Sequence, residues 1–451
     1  MLEILPEKLK ALAATCPFPL YVVGGTCREY LSSSFPLKPD YDICAPVQPE
    51  VMAALSIEEA GFKKCAVYKN TGTVKIKGHG EEYEFTSFRS DKYVRGVHTP
   101  AKIYFTEDMN LDARRRDFAC NAVYFDIKGD RFIDPLNGME DIRRKILRTV
   151  APAEKVFSED GLRLMRLARF SGSFGFTPTQ ECLEGAKVNA ALIRDISAER
   201  IYSELREILH ADGKYGVKYG HYTALCVLRD TGVMNYILPE LALGANMSQR
   251  QDFHHHDVLE HTLRCVMYAP DDIRFAALMH DVGKPYCKIT SGNFIGHEEE
   301  GARIVREVCA RLKAPKKVTE ETARLVLLHM YDVDCRARES KIRRMIVSNR
   351  DIFFKLVELK QADFSACRDV LSEAPVITKW REIYGEMMKE GVPFNLRELK
   401  VKGDELIAAG IPKEKCGKVL DRLLLECAVL PQLNEKNKLI ITAKRILRDI
   451  N

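Results

Sequence analysis

The chain has 451 residues, 46% of them hydrophobic, enough to bury the cores of two to four domains. No run of eighteen apolar residues occurs, which excludes a transmembrane helix, and the fourteen cysteines form no CxxC pair, which argues against a structural zinc site or a secreted disulfide framework. A reduced cytosol is the plain reading, and the formal net charge is only +5.

The N-terminus, "MLEILPEKLKALAATC", lacks the basic-then-apolar layout of a signal peptide and reads as a short amphipathic helix. From about residue 18 to 150, short β-type runs alternate with turns and helices: "LYVVGG", "DYDICA", "TVKIKG", "EYEFTSFR", "AKIYFT" and "NAVYFDI". This predicts a mixed α/β domain. Arginine is dense from Arg114 to Arg169, in "RRR", "IRRKILR" and "LRLMRLARF". One such run is an ordinary solvated helix face, but three in one region point to a polyanionic partner. From Ser158 onward apolar residues recur at helical spacing, with one weak strand candidate in "NKLIITAKRIL". Breaks at "GFTP", "ALGANMSQ" and "LKAPKK" suggest seams between helical subdomains. The expected division is 1–150, 151–245, 246–370 and 371–451.

In "YVVGGTCREYLSSSFPLKPDYDIC", Asp40 and Asp42 flank one tyrosine shortly after a Gly-Gly turn. Residues two apart on a strand share a face, so both carboxylates would project together. Paired hard oxygen ligands suit Mg²⁺, and Glu84 in "YEFTSFR" is the best placed third carboxylate. Such a site can activate an attacking hydroxyl and steady a leaving pyrophosphate. Gly24 and Gly25 would let backbone amides approach a triphosphate, and Arg28 would add charge. Alone, a DxD on a loop is as well explained by turn chemistry. Further on, "SEDGLRLMRLARF" spaces Asp160, Arg163, Arg166 and Arg169 by three along a helix. Asp160 can accept from an exocyclic amine while Arg163 donates to a ring acceptor, a pattern that both cytosine and adenine satisfy. An i,i+3 ion pair on a helix surface is the alternative.

The order of these features is specific. GG-x-x-R, D-x-D, E-x-T-x-x-R and "DARRRDFACNA" follow one another through a single domain, and "DPLNGMEDIRRKILR" comes next. Over most of the first 210 residues the chain resembles the nucleotidyltransferases of the DNA polymerase beta superfamily, and more narrowly the class II tRNA nucleotidyltransferases and bacterial poly(A) polymerases. The resemblance implies an α+β fold, with a polymerase-beta-like head of mixed sheet and helices and a mostly helical body. It implies Asp40, Asp42 and Glu84 as catalytic carboxylates holding Mg²⁺. It also implies nucleotide binding by Gly24, Gly25, Arg28, Asp112, Arg115, Arg116 and Asn121, with Asp160 and Arg163 choosing the base and Arg166 and Arg169 on phosphates. "IRDISAERIYSELREIL" resembles the family's neck helix, and the region beyond about Glu373 is expected to grip the tRNA elbow.

Three positions depart from the family pattern. Glu29 stands where Asp is usual, Ala119-Cys120 replaces Thr-Ile, and the loop "YVRGVHTP" carries Arg95 and Val97 where the family has Asp and Arg. In the family that loop switches selection from CTP to ATP. Asp91 and His98 are the residues at hand to substitute, and addition of CC alone stays open.

A second constellation follows: "DFHHHDVLEHTLRCV", "RFAALMHDVGKP", "GHEEEGARIV" and "LVLLHM". The His280-Asp281 pair before Val-Gly-Lys resembles the HD domain. That resemblance implies a metal held by His261, His280, Asp281 and Asp363, with His297 and His329 as the extra histidines of a two-metal site. Imidazole with carboxylate suits a divalent transition metal or Mg²⁺, and a bridging water could attack a phosphoester. His254 to His256 read as an exposed polar turn. The implied activity is template-independent addition of CMP, CMP and AMP to tRNA from CTP and ATP in the cytoplasm, with an HD phosphohydrolase activity beside it. CC addition alone, poly(A) synthesis, and a phosphohydrolase with an RNA-binding head are the alternatives.

Overall fold

The computed structural model describes residues 1–33, 41–58, 64–69, 71–78, 81–94, 97–249 and 255–450. Two compact units emerge: Met1–Ala242 with Arg311–Ala314, and Leu243–Ala310 with Pro315–Asn451. The boundary between Ala242 and Leu243 falls inside the "ALGANMSQ" run.

The first unit is built on a seven-stranded sheet. Its strands are β1 (Tyr21–Val23), β2 (Asp42–Ala45), β3 (Lys64–Tyr68), β4 (Thr73–Gly78), β5 (Glu81–Ser87), β8 (Tyr124–Asp126) and β9 (Arg131–Ile133), in the order β3-β4-β5-β2-β1-β8-β9. Strands β6 (Arg89–Val94) and β7 (Val97–Phe105) form a separate antiparallel ribbon. All neighbours in the large sheet are antiparallel except β2 and β5. Each of the six β-type runs of the sequence contains a strand, and β3, β6 and β9 are additions to that list. The N-terminal run is a helix at Glu7–Thr15 that buries Leu9, Leu12 and Ala13.

The neighbours Ile43 and Cys44 point to opposite faces of β2 and both are buried, so this central strand is covered on both sides. Val23, Cys44, Phe88 and Tyr124 share one core cluster, with Tyr21 stacked on Phe88 at 5.6 Å between ring centroids. Asp42 escapes this burial because it is the first residue of β2. Helices Ala153–Glu159, Leu162–Phe174, Gln180–Asn189, Ala198–Leu209 and Gly220–Asp230 complete the unit. "GFTP" lies inside it, where Thr177–Pro178 pairs in parallel with Ile146–Leu147.

The second unit is helical. Helices Val258–Tyr268, Arg274–Met279, Gly283–Ser291, His297–Arg311, Lys316–Leu328 and Phe353–Arg368 carry the histidine and aspartate motifs; Glu339–Ser348 lies between the last two, and three longer helices and one short one follow. "NKLIITAKRIL" departs from expectation: it lies in a helix, Lys436–Ile450, which buries Leu439, Thr442, Ala443 and Ile446. Those spacings of three and four make an apolar face, and burying it outweighs the β-preference of the Ile-Ile-Thr run. No described helix is long and apolar enough to cross a membrane.

Candidate functional site

The sequence "VVGGT" builds the floor of a cleft. Chain direction reverses between β1 and the helix Gly25–Leu31 at Gly24, which has φ +79 and ψ −132, a conformation essentially reserved for glycine. A Cβ there would sit 3.2 Å from Asp42 Oδ2, so glycine also leaves room beside that carboxylate. Asp42 pairs in register with Glu84 across the parallel β2–β5 contact, which puts the two side chains on one face. Glu84 is held by Lys75 at 3.0 Å and is half-exposed. Asp40 lies outside the described residues.

The cleft measures about 560 Å³. Nine of the twenty described residues lining it are Arg or Lys, against five carboxylates, a surplus that suits a polyanion. Gly24, Gly25, Arg28, Asp42, Arg115, Arg116, Asn121, Asp160, Arg163, Arg166 and Arg169 all reach it. Glu84 lines an adjoining hollow, together with Asp42, Arg115 and Arg116.

Asp112 is the exception among the head residues. It is fully buried behind the cleft, where its oxygens accept from Arg115 Nε at 2.8 Å, Arg116 Nη2 at 3.1 Å and the Tyr124 hydroxyl at 2.7 Å. Burial alone would raise its pKa, but Arg116 and Arg115 hold it at about 2. Asp112, expected among the nucleotide-binding residues, is thus placed behind the cleft lining, where its carboxylate orients the two arginines.

A second chain of contacts runs through the RRDFACNA motif. Arg28 stacks on Phe174 at 3.7 Å and donates to Asn121 Oδ1. Asn121 Nδ2 donates to Asp117 Oδ1 at 3.0 Å, and Arg166 Nη2 pairs with Asp117 Oδ2 at 2.6 Å. Burial opposes charge on Asp117, yet Arg166 keeps its carboxyl well below the usual range. Arg169 is tied to Glu204 at 2.7 Å and stacks over Phe170. The rigid network thus presents Arg28, Arg115, Arg116 and Arg166 from fixed positions.

Asp160 and Arg163 are each held by neighbours of their own. Asp160 Oδ1 accepts from Leu162 N at 2.9 Å, at the bend between two helices. Arg163 is buried and donates to Glu159 Oε2 at 3.0 Å, Val156 O at 3.0 Å and Arg115 O at 2.7 Å. The helix pair that forms is i,i+4 with Glu159. Both residues still line the cleft, with Arg163 locked in orientation.

Sequence reasoning missed Arg200 and Lys214, which reach the cleft from the helix Ala198–Leu209 and from the turn that follows it, far along the chain. Glu29 is buried and binds Lys214 Nζ at 3.2 Å and the Tyr215 hydroxyl, contacts that its extra methylene extends toward. Asp91 is on the cleft wall, paired with Arg89 at 3.1 Å. Arg95 and the side chains of Val97 and His98 lie outside the described residues, as does His254.

In the second unit six predicted ligands converge. His261 Nε2 lies 3.0 Å from Asp363 Oδ1 and 3.5 Å from Asp281 Oδ2, and His280 Nε2 lies 3.2 Å from the same Asp281 oxygen. The other Asp281 oxygen is 3.4 Å from His297 Nε2 and 3.6 Å from His329 Nε2. Asp281 therefore bridges two groups of ligand atoms. Gly283 makes this possible, since a Cβ there would meet His297 O at 2.1 Å. His280, His297 and His329 each direct Nδ1 at a backbone carbonyl, of Ala277, Phe294 and Val326, at 2.8, 2.8 and 2.6 Å. That fixes Nδ1–H and turns each Nε2 lone pair inward. His297 and His329 Nε2 then face each other at 3.2 Å, lone pair to lone pair, an arrangement that a cation between them stabilises. Lys284 Nζ lies 2.7 Å from Asp281 Oδ2 and offsets its charge. The donor set fits a divalent metal. In the first unit, the carboxylates and the space beside Gly24 fit one too.

The chain matches the poly A polymerase head domain over residues 20–148, the probable RNA and SrmB-binding site of polymerase A over 175–243, and the HD domain over 258–355. It is 33% identical over 375 residues to an A-adding tRNA nucleotidyltransferase of Deinococcus radiodurans, covering 78% of each chain. It is 37% identical over 223 residues to a CCA-adding enzyme of Geobacillus stearothermophilus, a match that spans 49% of this chain and 51% of that one, about half its length. The crystal structure of a Bacillus stearothermophilus CCA-adding enzyme in complex with CTP is similar across 99% of both chains, with a TM-score of 0.68 and 25% identity.

Proposed function

Since the chain belongs to the tRNA nucleotidyltransferase family, we propose that it completes the CCA end of tRNA in the cytoplasm, joining CMP and then AMP from CTP and ATP without a template. The observation that carries this reading is Asp42 beside the Gly24 turn in a cleft walled by Arg28, Arg115, Arg116, Arg163 and Arg166.

The terminal ribose hydroxyl attacks the α-phosphate, the bond to the β-phosphate breaks, and pyrophosphate leaves. Asp42, with Asp40 and Glu84, would hold Mg²⁺, which when bound makes the hydroxyl a better nucleophile and offsets charge on the leaving group. Arg28, Arg115 and Arg116 bind the triphosphate from positions set by Asn121 and Asp112. Their fixed geometry means little reorganisation is needed as charge develops. Asp160 and Arg163 read the amine and the adjoining acceptor that cytosine and adenine share. In the second unit, His261, His280, Asp281, Asp363, His297 and His329 would hold divalent metal, which supplies hydroxide at neutral pH for phosphoester hydrolysis.

A second reading, addition of the final A alone, is favoured by the relative matched over 78% of both chains, which is named for that step. Three tRNA transcripts, ending before CCA, before CA and before A, separate the two when products are sized at single-nucleotide resolution. Completion of all three supports CCA addition, and extension of the third alone supports the second reading. A stop after CC, or a long A tract on any RNA, overturns both.

A further inference from the structure

One more donor stands at the HD cluster. Cys367 follows Asp363 by four residues on the helix Phe353–Arg368, so both side chains leave one face. Its Sγ, a ring nitrogen of His261 and a carboxylate oxygen of Asp363 all lie within 4.8 Å of one another. Ligands on opposite sides of one metal are separated by the sum of their bond lengths, about 4.4 Å for sulfur and nitrogen on zinc. A separation of up to 4.8 Å is within a few tenths of an ångström of that span, so a small side-chain movement lets the three atoms meet one ion. Cys367 O accepts from His255 N at 3.2 Å, which anchors this turn of the helix.

A separate observation points to a cation at the same place. Asp281 is 2% exposed and its Oδ2 is paired with Lys284 Nζ at 2.7 Å, while beside it His280 Nε2, which presents a lone pair because Nδ1–H is on Ala277 O, lies 3.3 Å from His261 Nε2. Asp281 Oδ2 faces His261 and His280, the two imidazoles nearest Asp363.

We propose that Cys367 is a thiolate ligand of the metal held by His261, His280, Asp281 and Asp363, and that it gives this position a preference for Zn²⁺ or Fe²⁺ over Mg²⁺. Sulfur and imidazole donors favour such borderline ions, whereas Mg²⁺ takes oxygen ligands and keeps its water. On binding, a metal–sulfur bond forms and the thiol proton passes to solvent. The second group, Asp281 with His297 and His329, includes no thiol, so the two positions differ in softness. The inference rests on reading the HD cluster as a metal site.

The test loads the full-length, chelator-stripped protein with Co²⁺ and records its absorption. The proposal expects a thiolate-to-cobalt charge-transfer band in the near ultraviolet, present in wild type and in Cys335→Ser, and lost in Cys367→Ser while the visible cobalt bands persist. Alkylation of Cys367 by iodoacetamide, followed by peptide mass spectrometry, should slow on adding Zn²⁺ but not Mg²⁺, a measurement that needs no variant. Visible cobalt bands without the charge-transfer band in wild type, or a band that survives in Cys367→Ser, overturns the thiolate ligand and leaves the metal site standing. Cobalt spectra identical in wild type and His280→Ala overturn the metal site itself.

Discussion

Replacing Gly24 by alanine should damage both stability and catalysis, in amounts set by the geometry of one turn. At φ +79 and ψ −132 a Cβ is strained wherever it points, at a cost of about 1–3 kcal/mol. That Cβ also falls 3.2 Å from Asp42 Oδ2, tighter than ordinary contact, so the carboxylate must shift by a few tenths of an ångström. Displacements of that kind at a reacting centre cost about 10–100-fold in rate, since about 1.4 kcal/mol is a factor of ten. Gly25→Ala is the matched control for stability. Its Cβ would meet Arg28 Nη2 at 3.6 Å and Glu29 Oε1 at 3.8 Å, ordinary distances, within a helix where alanine is favoured by about 1 kcal/mol. Denaturant unfolding would give the two stabilities, and the rate of single CMP addition would give the Gly24→Ala activity. A Gly24→Ala protein as stable as wild type, or less damaged than Gly25→Ala, would refute the reasoning.

Asp112→Asn should lose about 2 kcal/mol at neutral pH, the linkage value of a carboxyl lowered from 3.8 to about 2. Because the folded pKa is depressed, this stability is present above pH 4 and fades as pH falls toward 2, so unfolding midpoints of variant and wild type should converge there. Arg163→Ala should narrow the preference for CTP and ATP over UTP and GTP by about 10–100-fold, the 1–3 kcal/mol of one base-reading pair. Competition between labelled triphosphates reads that ratio independently of the folded fraction. Glu84→Ala should cost less activity than Asp42→Ala, because Glu84 is half-exposed and already paired with Lys75; steady-state rates of pyrophosphate release would rank them.

Much of the site was legible because its chemistry is local. Gly24-Gly25, Asp42 and the RRDFACNA run are short motifs whose residues meet through one turn and one strand pair. Glu84 was legible through register, since Asp42 and Glu84 are partners across β2 and β5. What sequence hid depends on burial and distance. Asp112 sits in the same motif as Arg115, yet only the three-dimensional arrangement puts it beneath the cleft with Tyr124. Lys214 lies 185 residues from Glu29, and no periodicity announces that contact. Beside base reading, the Asp160–Arg163 spacing left a surface ion pair as the alternative, but at the bend by Gly161 Asp160 accepts from Leu162 N and Arg163 donates to Glu159. In the HD cluster, the family resemblance pointed to the four histidines that converge, while the bridging position of Asp281 required the packing of Gly283 against the His297 helix.

The most direct test of the account is single-turnover incorporation of labelled CMP and AMP into tRNA lacking its 3′ end, by wild type, Asp42→Ala and His280→Ala. The account predicts that wild type and His280→Ala extend the tRNA alike while Asp42→Ala extends it at least about 10³-fold more slowly, as expected when the charge stabilisation supplied at the reacting phosphate is lost. Extension by Asp42→Ala at the wild-type rate, or its loss in His280→Ala alone, would contradict the assignment of nucleotide addition to the Gly24–Asp42 cleft.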